Sequence, residues 1–188
     1  METPEELLVH LVDALEYLDI PYAIGGSLAA IAYGEPRSTR DIDVVVALRS
    51  GDIPRLRARF PPEDYYLDEK AASEALRRKT QFNIIHPRSG FKIDLYVAGD
   101  EISHAQISDA RRLPAAGSRT ARFSPPEPLI LKKLQFHQAG ASDKHLRDVL
   151  AILGVSGDLV DRERLTEEAR RFGLSQLLAD LLRRSREE

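Results

Sequence analysis

Asp41 and Asp43 stand two residues apart in the run Asp41-Ile42-Asp43-Val44-Val45-Val46. So apolar a run reads as a strand, in which alternate side chains share a face, so both carboxylates project together while Ile42 points into the core. Two carboxylates about 4 Å apart repel by roughly 4 kcal/mol at a surface-like dielectric, so the pair calls for a proton, a basic partner or a divalent metal. Mg2+ suits it, because that ion takes one or two carboxylates and lets phosphate oxygens of a substrate complete its shell. Upstream, Tyr22-Ala23-Ile24 leads into Gly25-Gly26-Ser27 and a short helical segment. A strand ending in two glycines and a serine brings bare backbone N–H groups and one hydroxyl to a phosphate at a helix N-terminus. The plain alternative is an edge strand whose aspartates pair with Arg37 and Arg40 at the surface.

A third carboxylate lies on a second strand. In Phe91-Lys92-Ile93-Asp94-Leu95-Tyr96-Val97, Ile93, Leu95 and Val97 share one face, and Lys92, Asp94 and Tyr96 the other. Asp94 reads either as a general base facing the same crevice as Asp41 and Asp43, or as a solvated carboxylate paired with Lys92 or an arginine. Gln81 to His86 before it reads as the hairpin partner, across the turn Pro87-Arg88-Ser89-Gly90.

The elements that must position these residues are marked locally. Thr3, Pro4 and Glu6 make a capping box for a helix carrying Leu7, Leu8, Leu11, Val12, Leu15 and Leu18, with His10 on its surface. Helices are expected over Asp52 to Phe60 and Glu69 to Lys79, and a hairpin around Gly117-Ser118. Ser124-Pro125-Pro126-Glu127 repeats the capping-box pattern ahead of Leu129, Ile130, Leu131 and Leu134. Ser142 caps a helix whose inward stripe is Leu146, Val149, Leu150 and Leu153, leaving Lys144, Arg147 and Asp148 on the polar stripe, where Lys144 and Asp148 are spaced to pair. Two further helices, from Asp161 to Phe172 and Leu174 to Arg184, complete a small bundle. The boundary near Phe123 is a change of architecture within one unit: an α/β core over 1–123 and a helical subdomain over 124–188.

Composition excludes several classes. The 188 residues hold no cysteine, which removes disulfides, thiolate metal sites and a cysteine nucleophile, and five scattered histidines argue against a zinc enzyme. A reducing cytoplasm is the expected location, and no apolar run approaches the ~20 residues of a membrane span. A net charge of −3 argues against broad nucleic-acid coating, yet residues 105–147 carry eight Lys/Arg against three Asp/Glu, leaving room for a local basic face.

In combination, Gly25-Gly26-Ser27, Arg37-Ser38-Thr39-Arg40-Asp41-Ile42-Asp43 and Lys92-Ile93-Asp94-Leu95 resemble the DNA polymerase beta-type nucleotidyltransferase superfamily. Within it they are most similar to the bacterial branch holding abortive-infection-type nucleotidyltransferase toxins and their uncharacterised relatives. The resemblance implies an α+β (α/β) fold, a mixed sheet with helices on one face followed by a C-terminal helical bundle. It implies a nucleoside triphosphate (NTP) held by Gly25, Gly26 and Ser27, and two Mg2+ ions, with Mn2+ as an alternative, on Asp41, Asp43 and Asp94. Lys133 and Asp143-Lys144-His145-Leu146-Arg147-Asp148 resemble the residues with which that branch closes its nucleotide site, so Arg37, Arg40, Lys133 and Lys144 are candidate phosphate ligands. The implied activity is transfer of a nucleotide from an NTP to a hydroxyl of tRNA or protein, with a cognate antitoxin as partner. The alternatives are a small antibiotic-type acceptor, which an acidic pocket would favour, or a nucleotide- or partner-binding module without turnover.

Overall fold

A computed structural model describes residues 3–34, 39, 41–140 and 142–187. Helix α1 (Pro4–Tyr17) starts as its sequence dictates: the Glu6 N–H donates to Thr3 Oγ1 at 3.2 Å and the Thr3 N–H to the Glu6 carboxylate at 2.8 Å. Its apolar stripe, Leu7, Leu8, Leu11, Val12 and Leu15, is fully buried. The chain continues through β1 (Tyr22–Ile24), α2 (Gly26–Tyr33), β2 (Asp41–Val46), α3 (Asp52–Arg59), β3 (Tyr66–Leu67), α4 (Glu69–Arg78), β4 (Gln81–His86), β5 (Phe91–Val97), α5 (Glu101–Ser108), β6 (Arg111–Ala116) and β7 (Arg119–Phe123). Beyond Ser124 the described chain is helical: α6 (Pro126–Gln138), α7 (Lys144–Ser156), a 3-10 turn (Gly157–Leu159), α8 (Arg162–Arg171) and α9 (Ser175–Glu187).

Among the described residues the strands form one seven-stranded mixed sheet in the order β3-β4-β5-β2-β1-β7-β6. Strands β2 and β5 run parallel at its centre, with Asp43 beside Asp94 and Asp41 beside Lys92, and β7 lies parallel to β1. Alternation sorts the faces: Ile42, Val44, Val46, Ile93 and Leu95 join the main core with α1 and α2. Asp41, Asp43, Val45, Lys92, Asp94 and Tyr96 belong to the other face. That face is not bare of helix. Ile107 of α5 packs there on Ala23, Val45 and Ala98, so α5 covers one end of it and departs from the expected one-sided arrangement. Helix α6 packs on α5, α7, α8 and α2, bringing the helical segment over the same end.

Three local expectations give way to tertiary contacts, and one strand is added. His10 is half-buried: its ring stacks on Phe60 at 4.7 Å, Nε2 bonds the Arg59 carbonyl at 2.9 Å and Nδ1 the Tyr65 hydroxyl at 2.8 Å. A carbonyl only accepts, so Nε2 carries the proton. Ser124 and Glu127 form no capping box. The Ser124 hydroxyl donates to the Pro125 carbonyl and accepts from Gln106, while buried Glu127 accepts the Asp161 N–H at 2.7 Å across to α8. Asp148 leaves the polar stripe of α7 and turns inward to Lys133, with Nζ to Oδ2 at 2.6 Å, so the spaced Lys144/Asp148 pairing gives way. Strand β3, two residues long, adds an edge beside β4 that no periodicity signals.

Candidate active site

The glycine turn and the aspartate strand meet directly. The Gly25 N–H donates to the Asp43 carbonyl at 2.9 Å, which continues the β1–β2 ladder one residue past Ile24 and sets the start of α2 against β2. Gly26 then adopts φ +52°, and a Cβ there would stand 1.8 Å from Asp43 Oδ2 and 2.5 Å from its Cβ. Only glycine meets both demands. Gly25 differs: a Cβ on it would find its nearest neighbour at 3.8 Å, and its φ of −119° suits any residue. The Ser27 N–H, at the N-terminal turn of α2, faces Asp43 Oδ2 at 3.4 Å, and the Ser27 side chain is buried.

The three carboxylates differ in setting. Asp41 is exposed, Asp43 half-buried and Asp94 buried. Burial pushes the Asp43 carboxyl above the usual range; the Ser27 N–H opposes this, Asp94 beside it adds to it, and Lys133 opposes it. Asp94 is held on both oxygens, one by the Asn83 amide of β4 and the other by Lys92 Nζ at 2.8 Å. Lys92 also reaches Asp41 at 4.0 Å. Asp94 thus pairs with Lys92, as one reading expects, but is buried where that reading has it solvated, and it lies beside Asp43 on the parallel strand. Its hydrogen bond to Asp94 lifts the Lys92 ammonium above its ordinary pKa, against the opposing effect of burial, with the charges of Asp94, Asp41 and Asp43 adding. The Tyr96 hydroxyl is pushed up by burial and then by Asp43 and Asp94.

A cleft of about 530 Å3 opens from Asp43 and the glycines along this face. Its charged lining is Lys79, Lys132 and Lys133 against Asp43 and Asp100, so it is not the acidic pocket that a polycationic acceptor would want. Tyr96, Phe136 and His145 form an aromatic row along one wall, with ring centroids 6.3 and 5.6 Å apart. Burial, and after it the charge of Lys133, lowers the His145 pKa, so the imidazole is neutral at pH 7.

Of the candidate ligands, Gly25, Gly26, Asp43 and Lys133 line this cleft together. Ser27, Asp41 and Asp94 lie beside it on α2, β2 and β5. Lys144 is exposed at the start of α7 and does not line the cleft. Arg37 and Arg40 lie outside the described residues. Among the described residues no three carboxylate or imidazole groups converge on one point. The donor set nonetheless fits a hard divalent ion, which needs only one or two carboxylates besides phosphate and water, and the Lys92 ammonium already supplies positive charge to it. Asn83 and Gln106 join the site without a signal from residue type, and His145 enters it from the run Asp143-Lys144-His145-Leu146-Arg147-Asp148. Alternation places Asn83 on the Asp94 face of β4, which is a usable signal; nothing local marks Gln106.

No family model matches the chain. No curated protein matches it. Solved structures do. An antigenic nucleotidyltransferase-like protein from Paracoccidioides brasiliensis is similar at 18% identity and a TM-score of 0.53, over 95% of this chain and 91% of that one. ANT(2″)-Ia, in complex with adenylyl-2″-tobramycin, is similar at 17% identity and a TM-score of 0.58, over 90% and 98%. The lincosamide antibiotic adenylyltransferase LnuA, lincomycin-bound, is similar at 13% identity and a TM-score of 0.55, over 81% and 98%. Likenesses this distant speak to architecture, and what they show is that the chain has the nucleotidyltransferase fold.

Proposed function

We propose that this chain transfers a nucleoside monophosphate from an NTP to an acceptor hydroxyl. The observation that carries the reading is the seating of Asp43 against Gly26, beside Asp94, at the head of a lysine-lined cleft on a nucleotidyltransferase fold. The acceptor oxygen attacks the α-phosphorus, the bond from that phosphorus to the α,β-bridging oxygen breaks, and pyrophosphate leaves. The phosphate tail lies over the N-terminal turn of α2 at Gly25-Gly26-Ser27, where the Gly26 N–H is its backbone donor while those of Gly25 and Ser27 serve Asp43. Lys133, whose charge reaches Asp43, offsets negative charge gathering on the leaving phosphates. Asp94 takes the hydroxyl proton, its carboxylate fixed by Asn83 and Lys92. Mg2+, or Mn2+ in its place, held by Asp43 and Asp94 with Asp41 as a further ligand, would neutralise phosphate charge and acidify the acceptor hydroxyl when bound.

A small hydroxylated acceptor fits better than a macromolecule. Two of the similar structures are of antibiotic adenylyltransferases. Four of the eight basic residues of 105–147 are taken up in ion pairs: Arg112 with Glu16, Arg119 with Asp13, Lys132 with Asp100 and Lys133 with Asp148. That weakens the basic face that an RNA acceptor would use. The cleft lysines likewise disfavour a polycationic acceptor.

Calorimetric titration of each of the four NTPs in Mg2+, on the wild type and on Asp41→Asn/Asp43→Asn, tests the reading. Metal-dependent binding of an NTP, lost in the double variant, is the expected result and names the donor. No binding of any NTP to a folded wild type would refute it and leave a binding module without turnover.

A further inference from the structure

Lys79 closes α4 in the left-handed region, at φ 55° and ψ 44°, with its N–H on the Ala75 carbonyl. Glycine is the usual residue at such a helix end, because any Cβ is strained there. Gly99, facing it, has the opposite character. Its backbone lies outside the left-handed region, yet a Cβ on it would stand 2.4 Å from Lys79 Cβ and 2.8 Å from Cγ. Glycine at 99 makes room for the stem of Lys79, and a strained backbone at 79 is kept in exchange for that side chain. Neither choice serves the packing of α4: Lys79 is exposed at the cleft mouth, and its ammonium makes no hydrogen bond or ion pair among the described residues. The other two cleft lysines are engaged, Lys132 with Asp100 at 2.7 Å and Lys133 with Asp148 at 2.6 Å. Thr80 and Val97 are joined by a backbone hydrogen bond, so Lys79 sits three to four strand residues, roughly 10 Å, along the sheet from Asp94.

We infer that Lys79 is a phosphate-binding residue of the cleft, its free ammonium supplying the counter-charge to a phosphate group of the bound ligand. The inference rests on the nucleotide-transfer reading only for the source of that phosphate: the triphosphate tail of the NTP or a phosphate carried by the acceptor. An anion completes the charge balance that the other two lysines find within the protein.

Lys79→Gly separates a binding role from a structural one, because it relieves the backbone while removing the charge. The wild type and Lys79→Gly are compared by thermal melting and by titration with sodium tripolyphosphate, with the NTPs and with a short single-stranded RNA. The expected result is a higher melting temperature together with roughly tenfold weaker tripolyphosphate binding. An equal loss toward NTPs assigns the phosphate to the donor. Unchanged NTP binding with weakened RNA binding assigns it to the acceptor. Affinities unchanged for all three ligands, no binding by the wild type, or a lower melting temperature in the variant would each overturn the inference. Lys79-dependent tripolyphosphate binding without any nucleotide transfer would uphold it while removing the transfer reading.

Discussion

Replacing Gly26 by alanine perturbs two things at once, and they can be measured apart. The first is backbone: at φ +52° an L residue costs about 1–2 kcal/mol over glycine. The second is collision. The new Cβ would meet Asp43 Oδ2 at 1.8 Å, Cγ at 2.3 Å and Cβ at 2.5 Å. A rotamer change moves only the first two, so α2 or β2 must shift, at a further ~1–3 kcal/mol. Gly26→Ala should therefore lose about 2–5 kcal/mol in urea unfolding, a large share of a typical domain's stability. Gly25→Ala, with open space and an ordinary φ, should stay within about 0.5 kcal/mol of wild type. Asp43→Gly removes every atom of the collision, so a cycle of wild type, Gly26→Ala, Asp43→Gly and the double variant should return about 1–3 kcal/mol of favourable coupling, leaving the backbone component behind. Equal effects of the two alanine substitutions, or no coupling to residue 43, would refute the seating of Asp43 against Gly26.

Asp43→Asn should stabilise the fold at neutral pH and abolish nucleotide transfer. Because burial raises the Asp43 pKa in the folded chain, the folded state binds its proton more tightly than the unfolded state. Wild-type stability therefore falls as pH rises from the ordinary carboxylate value, near ~4, through the raised one. The asparagine variant lacks that fall, so its advantage should shrink on acidification; an advantage that grows toward low pH in parallel melts would contradict the desolvation account. Lys133→Met removes the ammonium beside buried Asp148 and should cost about 1.5–3 kcal/mol, whereas Lys133→Met/Asp148→Leu should recover part of that; a double variant no more stable than the single one in urea unfolding would show that the pair is not the source.

What could be read from the sequence was what depends on near neighbours. The Thr3/Glu6 box, the alternation of β2 and β5 and the glycine turn all follow from residues within a few positions of each other, and they are where the spacing puts them. Asp148 shows where this stops. Periodicity puts it on the polar stripe of α7, and its inward orientation is decided by Lys133 on another helix. Ser124 and Glu127 have the types and spacing of a capping box but find their partners in Gln106 and Asp161. The two glycines look equivalent in sequence, and only Asp43, on another strand, makes the second indispensable.

The electrostatics of the carboxylate face are consistent with a site that is held in place before any ligand arrives. Asp43 and Asp94 sit side by side on parallel strands, an arrangement that would repel by several kcal/mol if nothing answered it. It is answered from three directions: Lys92 from the open side, Asn83 from β4, and the Ser27 N–H with the charge of Lys133 from α2 and α6. Each comes from a different element, so the carboxylates are fixed by the packing of the whole face and need no movement of β2 or β5 to be used. Lys92 is the component open to exchange. It is partly exposed, on a flexible stem, and a divalent ion could take over its role at Asp94 and Asp41 while Asn83 and Ser27 keep the carboxylates where they are.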